Sequence, residues 1–68
     1  MFSLVGVDGN AFSLMGYTAN ALKSVGLGDL KDQMYKEATS GDYSHLISVC
    51  SDYIDKANER CKEEDEEE

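Results

Sequence analysis

The sequence predicts an all-α fold: a compact three-helix domain with an apolar N-terminal arm and a disordered acidic C-terminal tail. The main observation is that three segments repeat apolar residues at the helical period, whereas none alternates as a β-strand would. The second is size, because 68 residues form one domain with a thin core. The third is the pattern of helix starts and stops, which places helices near residues 9–25, 29–39 and 42–61.

The apolar arm covers residues 1–7 and precedes a helix-start signal. A strand in this segment would have no partner elsewhere in the chain, so we expect the arm to pack on the helices. Asp8 as N-cap would bring Val7 and Phe12 together in a hydrophobic staple. Asn10 is the competing N-cap, since asparagine is equally suited to that position.

The first helix is predicted to end at Gly26, because glycine readily adopts the left-handed conformation that follows many helices. Its apolar residues occupy one half of the helical wheel, a face broad enough to contact two neighbouring elements. They are Phe12, Leu14, Met15, Ala19, Ala21, Leu22 and Val25. Gly16 lies in the middle of this helix. Either another backbone approaches closely at this position, or the helix simply tolerates the cost of a glycine.

The second and third helices carry narrower apolar stripes. The stripe of the second helix contains Leu27, Leu30, Met34 and Ala38. The stripe of the third helix contains Tyr43, Leu46, Ile47, Cys50, Tyr53, Ile54, Ala57 and Cys61. It covers about 120° of the wheel and is the strongest periodic signal in the chain. Asp42 or Ser40 is expected to cap the third helix.

The charge is concentrated at the C-terminus. The chain has 14 acidic and 6 basic residues, a formal net charge of −8, and residues 62–68 hold six of the acids with one lysine. Carboxylates at a helix C-terminus oppose its dipole and repel one another, so we expect a domain over residues 1–61 and a disordered tail over 62–68. Without clustered Lys and Arg, nucleic acid is not an expected partner.

The residue types that build catalytic and metal centres are few. A structural zinc site takes about four ligands, whereas the chain has one histidine, His45, and two cysteines, Cys50 and Cys61. On a helical wheel His45 points away from both cysteines, so it cannot activate either thiol. The glycines do not form a phosphate-binding loop. The sequence therefore predicts no catalytic residue, no metal site and no cofactor.

The expected location of the chain is the cytoplasm. Cys50 and Cys61 would lie about 16 Å apart on one helix, too far for a disulfide, and unpaired thiols fit a reducing compartment. No segment approaches the roughly 20 apolar residues that span a bilayer, so a membrane is not an expected partner. The N-terminus lacks the basic residues that begin a signal peptide.

Two segments resemble a known group of proteins. Residues 9–17 read Gly-Asn-Ala-Phe-Ser-Leu-Met-Gly-Tyr, and residues 37–47 read Glu-Ala-Thr-Ser-Gly-Asp-Tyr-Ser-His-Leu-Ile. Together they are similar to small uncharacterised bacterial proteins that are often found in prophages and mobile elements. The resemblance brings no catalytic residue with it, and residues 26–33 and the acidic tail depart from the pattern. It implies a bacterial or phage accessory protein in the cytoplasm.

These observations favour a non-catalytic protein-interaction module over an enzyme. Tyr17 and Tyr35 lie off the apolar stripes, and aromatic residues are enriched at protein interfaces. We therefore predict that Tyr17, Tyr35 or the arm over residues 1–7 binds a partner, which is either another protein or a second copy of the chain. The alternative is an acidic inhibitor that mimics nucleic acid, because the net charge is −8.

Overall fold

The computed structural model describes the backbone of residues 2–66 and the side chains of residues 2–62. It contains three α-helices in the order α1 (Ala11–Ser24), α2 (Lys31–Ala38) and α3 (Tyr43–Glu66). A single 3₁₀ turn at Gly28–Leu30 leads into α2, and no strand occurs within these residues. The predicted all-α, three-helix architecture is therefore confirmed.

The first helix is capped by Asn10, whose side-chain oxygen accepts the N–H of Phe12 at 2.7 Å. Asp8 accepts the N–H of Asn10 at 3.2 Å, so it supports the cap without being the N-cap itself. The Asp8 cap and the staple that depends on it are therefore wrong. Phe12, placed by the wheel on the packing face, is 82% exposed because it falls in the first turn, beyond the reach of the other helices.

The end of α1 follows the prediction. Gly26 has a φ of +81°, a left-handed conformation that costs glycine little. The N–H of Leu27 then bonds back to the carbonyl oxygen of Leu22 at 2.8 Å, which satisfies a carbonyl that the helix end leaves open. At Gly16 an added Cβ would meet no heavy atom within 4 Å, so tolerance explains this glycine better than close packing.

The connection between α2 and α3 is a tight turn with its own hydrogen bonds. The hydroxyl of Ser40 donates to the carbonyl oxygen of Glu37 at 2.7 Å, and Asp42 accepts the N–H of His45 at 2.9 Å. Asp42, which was one of the two predicted candidates, therefore caps α3. At Gly41 an added Cβ would lie 2.8 Å from the His45 ring, so this position has no room for a side chain.

The core lies between all three helices, and the most extensive packing is between α1 and α3. Gly9 contacts Tyr43 at one end of the domain and Gly26 lies beside Arg60 at the other, so α1 and α3 run parallel. The buried apolar residues are Leu14, Met15, Ala19, Ala21, Leu22, Val25, Met34, Ala38, Leu46, Val49, Cys50, Tyr53, Ile54 and Ala57. Burial of apolar surface on this scale is the main force that holds such a fold together.

The third helix continues to Glu66, beyond its predicted end near residue 61. The predicted disorder of the acidic tail over 62–68 is therefore not confirmed, and residues 67 and 68 lie outside the described residues. Glutamate and lysine are good helix formers, and no Gly or Pro follows Gly41 to stop the helix. Among the described residues, no helix combines the length and apolar character needed to cross a bilayer.

Candidate functional site

Residues 2–7, hereafter the N-terminal segment, are attached to both long helices. Asn58 of α3 accepts the N–H of Phe2 at 2.6 Å, and its amide group donates to the carbonyl oxygen of Phe2 at 2.9 Å. The Phe2 ring meets the Tyr17 ring of α1 edge-on, with 6.4 Å between centroids and 77° between planes, a favoured geometry for aromatic pairs. The start of the segment is thus held between α1 and α3.

The N-terminal segment is a turn and not an extended strand. The N–H of Ser3 donates to the Tyr17 hydroxyl at 2.9 Å, and the N–H of Val7 donates to the carbonyl oxygen of Leu4 at 3.1 Å. Gly6 has a φ of +88°, which lets the chain reverse inside this turn. Leu4 and Val7 are half-buried against the core, whereas Val5 is 91% exposed. The turn therefore presents one apolar side chain to solvent.

A shallow groove of about 270 Å³ lies between the N-terminal segment and α3. The groove, hereafter the N-terminal groove, is lined by Phe2, Ser3, Leu4, Val5, Ser51, Ile54, Asp55 and Asn58. Ile47, which is 38% exposed, precedes Ser51 by one helical turn, and Tyr43, which is 48% exposed, precedes Ile47 by another. Exposed apolar side chains thus continue along α3 from the end of the groove.

The charged residues around the N-terminal groove are of both signs. All six Lys and Arg residues lie within residues 23–36 and 56–62, so residues 2–22 and 37–55 contribute none. Asp55 lines the N-terminal groove, and Asp8 and Asp42 are exposed where the N-terminal segment ends and α3 begins. Lys62 lies with Asp55 and Asn58 in a neighbouring depression, so a cation also borders the far end of the groove.

Neither tyrosine predicted to bind a partner stands as an open aromatic surface. Tyr17 is half-buried, with its ring against Phe2 and its hydroxyl bonded to Ser3, and Tyr35 is half-buried against the core. Their role in partner binding stays a prediction. Tyr43, predicted to be buried, is exposed because it begins α3 at the end of the domain, where its hydroxyl donates to the carbonyl oxygen of Gly9.

The sequence reasoning named the arm over residues 1–7 as a possible partner surface without singling out Val5, and it missed Ile47. Ile47 was assigned to the buried stripe of α3, but it lies at the edge of that stripe and is only partly covered. Val5 was placed in the N-terminal arm, and all residues of that arm were expected to pack on the helices. The signal for its exposure was Gly6, since a turn at that glycine places the residue before it at the tip.

A second groove, of about 440 Å³, lies between α2 and α3 and is polar. The buried Tyr53 hydroxyl donates to a Glu37 carboxylate oxygen at 3.1 Å and accepts from the Gln33 amide at 3.0 Å. Burial raises the pKa of Tyr53, and the bond to Glu37 raises this pKa further. The Lys56 ammonium lies 6.0 Å from the centre of the Tyr53 ring. This network keeps the tyrosine protonated and joins two helices.

His45 takes part in the turn before α3 and not in a catalytic pair. Its Nε2 lies 2.9 Å from the Glu37 carbonyl oxygen and 3.1 Å from the Ser40 hydroxyl. Because a carbonyl oxygen only accepts, Nε2 carries the proton in this arrangement. The Ser40 hydroxyl also donates to that same carbonyl. His45 therefore cannot take a proton from Ser40 in this geometry.

The cysteines are unpaired thiols in different surroundings. Cys50 is fully buried, and burial raises the pKa of its thiol, an effect that a hydrogen bond with Thr18 partly offsets. A buried thiol of raised pKa is a poor nucleophile. Cys61 is half-buried. In the described part of the chain, no three His, Cys, Asp or Glu side chains converge as metal ligands.

Comparison with protein-family models, with curated proteins and with solved structures found no match to this chain. Function is therefore inferred from the geometry described above. Within the described residues, core packing and helix capping leave two apolar features unexplained: the exposed Phe12 ring on α1, and the surface at the N-terminal groove with Val5 and Ile47 in solvent.

Proposed function

We propose that this chain is a non-catalytic protein-interaction module that binds its partner at the N-terminal groove. The observation that carries the proposal is the 91% exposure of Val5 beside a groove whose wall includes Leu4 and Ile54. Large apolar side chains grouped on the surface of a small domain are typical of an interface. Ile47, 38% exposed, extends the same surface along α3.

The exposed apolar side chains of this surface can contribute measurably to the affinity for a partner. Full burial of a Val or Ile side chain contributes about 1.5–3 kcal/mol, and about 1.4 kcal/mol changes an affinity tenfold. Apart from Tyr43, the most exposed apolar side chains along the N-terminal groove and the start of α3 are Val5 and Ile47. A partner that covers Val5 would therefore gain about tenfold in affinity by that scale, and the exposed part of Ile47 would add less.

Several observations support a binding role over chemistry. The His45 Nε2 is engaged as a donor to a carbonyl, and the Cys50 thiol is buried. Two unpaired cysteines support a cytoplasmic location, since thiols persist in reducing compartments. The resemblance of residues 9–47 to bacterial and prophage-encoded proteins supports a bacterial or phage origin for this module.

Affinity capture from the native host, followed by mass spectrometry, tests this proposal. The bait is the full chain, compared with a variant that carries Val5→Ser and Ile47→Ser. Phe12→Ser is the matched control, because Phe12 is 82% exposed but does not line the N-terminal groove. We expect a protein that wild type and Phe12→Ser recover and the double variant does not. Equal recovery by all three baits would contradict the proposal.

A second candidate, an acidic inhibitor that mimics nucleic acid, is favoured by one observation. Glu37, Asp52, Asp55 and Glu59 line the groove between α2 and α3, with Lys56 as the lone cation in that lining. This places carboxylates on a folded face, as mimicry requires. The test is inhibition of basic nucleic-acid enzymes by wild type and by Asp52→Asn with Asp55→Asn. Inhibition that the double variant loses supports mimicry, and none by wild type excludes it for the enzymes assayed.

A further inference from the structure

We infer that the N-terminal segment occupies, within its own chain, a peptide-binding site on α1 and α3 that also accepts an extended peptide of a partner protein. The partner peptide carries an aromatic residue followed two positions later by an aliphatic residue, as Phe2 is followed by Leu4. The site lies beneath the segment, whereas the segment itself forms one wall of the N-terminal groove. The inference therefore goes beyond the proposed function, and its failure would leave that function standing.

Asn58 binds the segment through its backbone. Its side-chain oxygen accepts the N–H of Phe2 at 2.6 Å, and its amide group donates to the carbonyl oxygen of Phe2 at 2.9 Å. Every residue except proline supplies the same N–H and C=O, so this paired contact does not depend on the residue type. It also does not depend on the covalent link, because Asn58 and Phe2 are 56 positions apart in the chain. The same two bonds are therefore available to the backbone of another peptide.

Contacts with alternate residues of the segment supply the side-chain preference. The Phe2 ring meets the Tyr17 ring edge-on, with 6.4 Å between centroids, and the Tyr17 hydroxyl accepts the N–H of Ser3 at 2.9 Å. Leu4 packs against the core, whereas Ser3 and Val5 are exposed. Recognition of an extended peptide combines main-chain hydrogen bonds, which supply affinity, with pockets for alternate side chains, which supply specificity. Residues 2–4 are bound in this way.

The segment can detach without unwinding a helix. Within the part of the chain that the structure describes, the hydrogen bonds from residues 2–7 to the helices are made by the side chains of Asn58 and Tyr17, and the other bonds of the segment are internal. Gly6 has a φ of +88°, and an added Cβ there would meet nothing within 4 Å. The backbone thus turns in open space just after the bound residues. A peptide that brings the same groups can replace them.

The attached segment competes with any such peptide. A ligand joined to its site by a short flexible linker acts at an effective concentration of the order of millimolar. A free peptide therefore binds only to the fraction of molecules in which the segment has opened. The segment is an autoinhibitory contact, and any change that weakens its attachment raises the affinity for the free peptide.

NMR titration of the full chain with a capped synthetic peptide tests the inference. The peptide has the sequence of residues 2–7, Phe-Ser-Leu-Val-Gly-Val, and a control peptide has serine in place of its phenylalanine and its first leucine. The two proteins compared first are wild type and a released variant that carries Phe2→Ser with Leu4→Ser. The signals followed are the backbone amide of Tyr17 and the side-chain amide of Asn58.

Two further proteins locate the binding site. One adds Asn58→Ala to the released variant, and the other adds Asn20→Ala as the matched control, because Asn20 is an exposed asparagine on α1. The released variant should bind the peptide at least about tenfold more tightly than wild type, because its own segment no longer competes. Asn58→Ala should weaken that binding about tenfold, since two hydrogen bonds to the peptide backbone are lost. Asn20→Ala should leave the binding unchanged, and the control peptide should bind none of the proteins.

Several outcomes would overturn the inference. They are the absence of shifts at Tyr17 and Asn58 in the released variant at millimolar peptide, equal affinity of wild type and the released variant, and binding that Asn58→Ala does not weaken. Loss of the helical circular dichroism signal in the released variant would show that the segment belongs to the folding core, and would also overturn it. Wild type should sediment as a monomer, and a dimer that requires Asn58 would assign the site to the segment of a second copy instead.

Discussion

Removal of the Asn58 side chain is the perturbation that most directly loosens the candidate surface. Asn58→Ala deletes the two hydrogen bonds, at 2.6 and 2.9 Å, that hold both backbone groups of Phe2. Partly buried hydrogen bonds contribute about 0.5–1.5 kcal/mol each, so attachment of the segment should weaken by about 1–3 kcal/mol. By the usual conversion, opening of the segment becomes about 5- to 150-fold more frequent.

Amide hydrogen exchange measured by NMR reads this opening directly. The N–H groups of Phe2 and Ser3 should exchange faster in Asn58→Ala by that factor, because both are held by side chains of the helices. Asn20→Ala is the control, since Asn20 is an exposed asparagine on α1. Exchange rates that match wild type, or an equal acceleration in the control, would refute the assigned role of Asn58.

Further predictions concern packing and ionisation. Gly16→Ala should raise the free energy of unfolding by about 1 kcal/mol, because helix propensity improves and a Cβ there meets nothing within 4 Å. Gly41→Ala should lower it by about 1–3 kcal/mol, since its Cβ would lie 2.8 Å from the His45 ring; chemical denaturation that ranks the two variants in the opposite order would contradict this packing. Stability should fall as the pH rises above 9.0, because the buried Cys50 thiol has a raised pKa and the unfolded chain releases that proton first. Tyr53, whose pKa is also raised, should add a loss above pH 10.0, so Tyr53→Phe should show a smaller alkaline loss in the same assay; an identical pH profile would count against the buried phenol.

The sequence predicted those parts of the fold that local chemistry decides. Leu22, Met34 and Ala38 were placed in the core by their helical spacing, and all three are fully buried. Gly26 was identified as the end of α1, and its positive φ fits that role. These positions depend on period and on backbone conformation, which a single sequence displays directly.

The positions that were mispredicted depend on which neighbour lies where. Phe12 and Tyr43 fall on apolar arcs of the wheel, yet both lie in the first turn of a helix at the end of the domain and stay exposed. Val49 lies outside the predicted stripe and is nevertheless buried, so the packed face of α3 is wider than the stripe. A helical wheel gives the direction of a side chain but not the extent of the element that faces it.

Sequence reasoning offered the arm over residues 1–7 as a possible partner surface, but not the contacts that build the groove. The pairing of Phe2 with Asn58 joins residues 56 positions apart, and no periodic pattern records such a contact. Tyr17 was selected as an exposed aromatic, but its hydroxyl and ring are occupied by the N-terminal segment. The sequence thus indicated a surface function, while the fold determined which surface remains open.

Hydrogen–deuterium exchange of the full chain, with and without a captured partner, tests the central claim most directly. If the N-terminal groove is the binding surface, protection should appear in residues 2–7 and around Ile47 and Ser51. Protection confined to the α2–α3 face, around Gln33, Glu37 and Asp52, with no change in residues 2–7, would contradict the claim.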